Sequence, residues 1–125
     1  MIKCKVLLVD DEKEFVTALA ERLELRGFQV LVAMDGQGAL GLIENDLPQV
    51  MVLDLKMPGI GGLEVLKRIK AQKLQIPVII LTGHGSMMEG KEGMDLGAFG
   101  HLIKPVDIGV LIEKIKQAAK VYGCT

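Results

Sequence analysis

Two stretches decide how this chain folds: VLLVDD at residues 6–11 and VMVLDL at residues 50–55. Each is a short run of Val, Leu and Met that stops on acid, at Asp10 and Asp11 in the first and at Asp54 in the second. Continuous apolarity over so few residues marks strands buried on both faces of a parallel sheet. If the two strands are neighbours, their carboxyl ends bring three carboxylates to one point on the sheet rim, where open α/β sheets bind ligands.

Outward from these runs, β-type stretches alternate with helical patterns along the whole chain, the signature of an α/β sheet covered by helices on both faces. Strands are expected at Lys3–Val9, Gln29–Ala33, Val50–Asp54, Val78–Leu81 and Phe99–Ile103. Phe15, Leu19 and Leu23 space a first helix closed by Gly27, and Leu63, Leu66 and Ile69 space a third. The last helix carries Ile108, Leu111, Ile112, Ile115 and Ala119 at helical period behind an Asp107 cap. Between Ser86 and Gly97 the pattern is weaker. Ser86 and Glu89 make a capping box, yet Gly90, Gly93 and Gly97 interrupt the helix it starts, at about 1 kcal/mol per interior glycine. A marginal, movable helix is expected there, with Met87, Met88 and Met94 as adaptable packing.

At 125 residues the chain fits one domain, residues 1–125, with enough length for a real core. Half of it is apolar, but it holds three Phe, one Tyr and no Trp, so platforms for stacking bases or flavins are scarce. A formal net charge of −1 gives no broad attraction to nucleic acid or to an anionic membrane. Cys4 and Cys124 lack CxxC spacing and read as ordinary reduced thiols. No secretory h-region and no apolar run near the ~18 residues of a membrane span is present, so a cytoplasmic protein is expected.

Crowded carboxylates repel, and one of them gains affinity for a proton unless a cation offsets the charge. An oxygen-only ligand set suits Mg²⁺, which takes one or two carboxylates together with phosphate oxygens. Thr82 follows PVIIL and Lys104 follows the fifth run, so a hydroxyl and an ammonium join the acids at the strand ends. An oxygen nucleophile, a divalent cation and donors for the remaining oxygens are what phosphoryl transfer requires. Asp54, alone on the middle strand, is the best nucleophile.

The segments VLLVDDE, MVLDLKMPGIGGLEVLKRIK, VIILTGHG and GAFGHLIKP together resemble the receiver domain of two-component response regulators over essentially the whole chain. The resemblance implies a doubly wound (βα)5 sandwich, flavodoxin-like, with strand order 2-1-3-4-5. It implies that Asp10 and Asp11 are the metal-binding pair, with Asp11 the direct ligand. Asp54 would be the phosphoacceptor that also contacts Mg²⁺, and the Lys56 carbonyl would complete the protein ligands. It makes Thr82 the switch hydroxyl, Lys104 the phosphoryl-binding lysine, and Lys104–Pro105 a cis peptide. Lys56 and His84 fall where family members tune phosphoryl lifetime, and long side chains at both favour slow loss. The implied partners are a histidine kinase or histidine phosphotransfer protein, and an effector domain or downstream protein. A homodimer through the last two helices is also compatible. The output face is expected around Gly93, His101 and Gly109.

Two positions depart from the family pattern. His101 stands where a Tyr or Phe usually serves as the rotating switch ring; it can swing likewise and add pH sensitivity, or be a plain surface imidazole on an edge strand. Gly61 stands where an acidic residue often opens the third helix. The alternative function is a receiver that works unphosphorylated as an interaction module.

Other readings fare worse. GQGALG at residues 36–41 satisfies GxGxxG, but it follows the second strand, sits behind Asp35 and has too little chain around it for a dinucleotide fold. A flavodoxin-type carrier needs a phosphate-binding first loop, and here that loop is DDEKE. A phosphatase of the haloacid dehalogenase type spaces its two acids two apart, whereas Asp10 and Asp11 are adjacent.

Overall fold

Central strands buried from both sides need a helix layer on each face, and that is the architecture of the computed structural model, which describes residues 4–83 and 87–120. The elements are β1 (Lys5–Val9), α1 (Lys13–Leu25), β2 (Gln29–Ala33), α2 (Gly36–Asn45), β3 (Val50–Asp54), α3 (Gly62–Ala71), β4 (Val78–Thr82), α4 (Met87–Asp95), β5 (Gly100–Ile103) and α5 (Ile108–Lys120). Lys3, His84, Ser86 and Cys124 lie outside the described residues.

The five strands are parallel in the order β2-β1-β3-β4-β5. Because side chains alternate across a strand, each central strand feeds two cores. Val6, Leu8, Val50, Val52, Ile79 and Leu81 pack with α1 and α5, and Leu7, Val9, Met51, Leu53, Val78 and Ile80 pack against the other layer. Leu7, Leu8, Leu53, Ile80 and Leu81 are among the side chains buried completely. Each such burial contributes roughly 1.5–3 kcal/mol, so the strand ends that carry the acids stand on a rigid base.

Register aligns those ends. Val9 pairs with Leu53, Asp54 with Leu81, and Thr82 with Ile103. β4 runs one residue further than expected and includes Thr82, while β5 begins at Gly100 rather than Phe99. α1 stops ahead of Gly27, whose φ is 91°. At α5 the Asp107 carboxylate accepts the Val110 N–H at 3.1 Å, as its cap position requires. Gly61 starts α3 with no side-chain cap, in keeping with the missing acid.

The GQGALG segment opens α2, and Asp35 caps it by accepting the Gly38 N–H at 2.7 Å. The carboxylate occupies the helix terminus that a dinucleotide phosphate would need. α4 is an unbroken helix through Gly90 and Gly93, both buried. The expectation of methionine packing fails for Met88 and Met94, which are 88% and 40% exposed, because the helix turns its glycines to the sheet and these methionines away from it. Gly93 likewise leaves the expected output face: it is buried against Ile80. Among the described residues no helix is long and apolar enough to cross a membrane.

Candidate functional site

Asp10 follows β1 directly, Asp54 is the last residue of β3, Thr82 the last of β4, and Lys104 follows β5. Parallel pairing of four strands therefore brings these side chains to one edge of the sheet. Asp10, Asp54 and Thr82 are the buried polar residues at 3%, 6% and 0% exposure among the described residues. Buried polar groups demand partners, and those found here are Lys104, His101 and the backbone N–H groups of Glu12 and Lys56.

Lys104 is the hub. Its Nζ lies 2.8 Å from Asp10 Oδ2, 2.6 Å from Glu12 Oε1 and 3.7 Å from Asp54 Oδ2. It also sits 4.6 Å from the centroid of the Phe15 ring, a cation–π contact that fixes its stem over α1. Burial alone would lower the ammonium's pKa, but the carboxylates of Asp10, Glu12 and Asp54 carry it above the usual lysine value. Lys104 is thus a permanent cation at this edge.

Asp54 accepts the Lys56 N–H on Oδ1 at 3.2 Å, and the Glu12 N–H donates to Asp10 Oδ1 at 2.9 Å. Even so, Asp54 has its pKa pushed up to about 6. Burial is the main cause and the Asp10 charge the next, against the lowering effect of Lys104 and the Lys56 N–H, with Asp11 adding a further push upward. One ammonium does not neutralise this many carboxylates.

The arrangement fits a divalent cation. Oxygens of Asp10, Glu12 and Asp54 lie within 4.8 Å of one another. Asp10 Oδ2 is buried and, apart from its ion pair with Lys104, makes no hydrogen bond among the described residues. A hard, oxygen-preferring ion would satisfy that atom and offset the charge that raises the Asp54 pKa.

Of the residues singled out from sequence, the structure brings Asp10, Asp54 and Lys104 into mutual contact. Lys104–Pro105 is cis. Lys56 is at the site through its backbone, with its side chain exposed. Asp11 is exposed and outside the three-carboxylate cluster, although close enough for its charge to be felt by Asp54. Thr82 faces a different partner: its Oγ1 lies 2.6 Å from His101 Nε2. His101 is half-buried on the edge strand β5.

Glu12 is the residue sequence reasoning missed. The signal for it was the length of Lys104: an ammonium reaching from β5 to Asp10 also meets whatever opens α1. Glu12→Gln should release one tether on that ammonium and bring the Lys104 pKa down toward the usual lysine value, since the Glu12 carboxylate is one of the groups that raise it. NMR titration of the Lys104 side chain tests this; an unmoved pKa would show that Glu12 does not act on the ammonium.

Comparison with known proteins agrees with the geometry. The family model described as the response regulator receiver domain matches residues 6–116. The transcriptional regulatory protein CpxR of Shigella flexneri is 41% identical over 112 residues, which is 90% of this chain and 47% of that protein. The chain thus spans about half the length of that curated relative. Sporulation initiation phosphotransferase F of Bacillus subtilis is 37% identical over 122 residues, covering 98% of this chain and 95% of that protein. The crystal structure of a response regulator receiver domain protein from Clostridium thermocellum superposes with a TM-score of 0.90 at 33% identity, over 95% of this chain and 96% of that one. With the family model matched over residues 6–116 and a receiver-domain structure superposing on nearly the whole length, the chain belongs to the response regulator receiver domains of two-component signalling.

Proposed function

We propose that this domain is a phosphorylation switch in the cytoplasm: a histidine kinase or histidine phosphotransfer protein donates a phosphoryl group to Asp54 in the presence of Mg²⁺. The observation that carries the reading is the convergence of the Lys104 ammonium and the Asp10 carboxylate on the buried Asp54. Asp10, Asp11 and Asp54, with the Lys56 carbonyl, would hold the ion. When bound it would shield the negative charges of nucleophile and donor from each other. An Asp54 oxygen attacks phosphorus, the P–O or P–N bond to the donor breaks, and the leaving group departs with its electron pair. Lys104 then exchanges a carboxylate partner for a phosphoryl oxygen.

The hydroxyl of Thr82 has the same choice. It is bonded to His101, and a dianion at Asp54 offers a stronger acceptor. Drawing Thr82 toward that dianion frees His101 and shifts α4, β5 and α5 between two populations. With Gly93 buried, the exposed part of the output surface lies around Phe99, Ile103, Gly109 and Val110. Phosphoryl lifetime is set in part by Lys56 and His84, and the signal passes to an effector domain or a separate downstream protein.

Incubation with acetyl phosphate and Mg²⁺ tests the reading. A receiver accumulates one acyl phosphate per chain, a phosphatase turns the donor over to free phosphate without accumulating acyl phosphate, and a flavin carrier does neither. Thr82→Ala should still take up the phosphoryl group but lose the accompanying change at α4 and β5, monitored by NMR shifts of the α4 amides. Equal α4 shifts in the variant would remove Thr82 from the switch. A receiver acting only as an unphosphorylated interaction module would be expected to have a defective pocket, and Asp54, Thr82 and Lys104 all stand at their strand ends.

A further inference from the structure

The His101 imidazole is wedged between two elements. Its Nε2 meets the Thr82 hydroxyl at the end of β4. Its ring also occupies the space where a side chain on α4 would begin: a β-carbon built on Gly90 would lie 2.3 Å from His101 Cε1, 2.4 Å from Nε2 and 2.9 Å from Nδ1. Nonbonded atoms do not approach so closely, so the ring can point inward only because residue 90 has no side chain. Glycine inside a helix weakens it relative to alanine, so helix stability gives no reason for a glycine here.

We infer that Gly90 is a positioning residue for the switch. Its bare backbone is the floor of a socket that holds the His101 ring inward, and the ring holds the Thr82 hydroxyl on the β5 side, away from its role at Asp54. The socket itself is a packing statement, whereas its consequence for switching rests on the phosphoacceptor reading. β4, β5 and α4 are coupled through one imidazole. While the ring is seated, Thr82 has a partner and α4 is docked against it. When Thr82 turns to a phosphorylated Asp54, the ring loses its hydrogen bond, and α4 loses the contact that Gly90 exists to make. A side chain at position 90 should mimic that release by expelling the ring. The neighbouring close approach of Gly93 to Ile80 involves no polar group and carries no such signal.

Four proteins test this: wild type, Gly90→Ala, His101→Ala and the double variant. The first measurement is the melting temperature without ligand. In wild type the alanine collides with the ring and Tm should fall; in the His101→Ala background no ring is displaced, the alanine improves the helix, and Tm should rise. A Tm change of the same sign in both backgrounds overturns the socket. If Gly90→Ala does not fold while the double variant does, the socket stands; if neither folds, it falls. The second measurement is affinity for beryllium fluoride with Mg²⁺. Expelling the ring frees Thr82, so Gly90→Ala should bind several-fold more tightly than wild type and add nothing in the His101→Ala background. Unchanged affinity across the four proteins, with the Tm pattern as expected, overturns the link from socket to Thr82. Absence of binding even in wild type defeats the phosphoacceptor reading instead, and the Tm pattern still decides the socket.

Discussion

Asp54→Ala protein exposed to acetyl phosphate and Mg²⁺ should gain no phosphoryl group, under conditions in which the wild type gains one per chain. The effect is expected to be complete because the other buried carboxylate at this edge, Asp10, is held by Lys104 at 2.8 Å and by the Glu12 N–H at 2.9 Å, whereas Asp54 Oδ2 stands 3.7 Å from the ammonium and is less engaged. Labelling of the variant at the wild-type level would show that the wrong residue has been assigned. The same site also makes a stability prediction. A carboxyl whose pKa is raised from 3.8 to about 6 by folding holds a proton in the folded state that the unfolded chain has already released. Its contribution is therefore full below about pH 4 and is lost as pH rises through about 6. The loss is on the order of 3 kcal/mol by pH 8 without metal. Asp54→Asn, which cannot ionise, should escape it. Urea denaturation in a chelator at pH 5 and pH 8 should find the variant gaining on the wild type at the higher pH, and Mg²⁺ should close the gap by stabilising the wild type alone. An unchanged difference between the two pH values would mean that Asp54 does not titrate in this window.

Gly62→Ala should cost about 3 kcal/mol of stability, at the upper end of what overpacking usually costs. A β-carbon there would sit 2.5 Å from the Asp54 carbonyl oxygen and 2.7 Å from Leu55 Cα. These are backbone atoms at the root of the phosphoacceptor, so no side-chain rotation relieves the collision. α3 must lift, and with it Val65, Leu66 and Ile69, all wholly buried. Chemical denaturation of the variant measures the cost, and a change within about 0.5 kcal/mol, the usual range for surface substitutions, would refute the close approach. By contrast Gly61, one residue earlier, meets only the Leu55 carbonyl at 3.5 Å and should accept alanine with little change.

Part of this site is legible in the sequence. The sheet was legible because β1, β3 and β4 are apolar without interruption, and that pattern has few other solutions. Asp54, Asp10 and Lys104 were legible because parallel strands that start on one side must finish on the other, so the residues at their ends meet whatever lies between. What could not be read depends on how helices settle on the sheet. Gly90 and Gly93 look in sequence like flaws in α4, since a missing β-carbon that weakens a helix and one that makes room for a neighbour are the same letter. The exposed Met88 and Met94 follow from the same rotation of α4. Glu12 joined the site through the reach of Lys104 across the edge, which leaves no mark in spacing or periodicity. His101 was singled out by position, but its hydrogen-bond partner, 19 residues away, was not legible.

The central claim is that one aspartyl side chain accepts phosphate. The most direct measurement is to treat the wild-type protein with acetyl phosphate and Mg²⁺, convert any acyl phosphate to its stable hydroxamate with hydroxylamine, and map the product by peptide mass spectrometry. A single hydroxamate at Asp54, absent when Mg²⁺ is chelated, is the expected result. No modified peptide, or modification at Asp10 or Asp11 with Asp54 intact, would contradict the account.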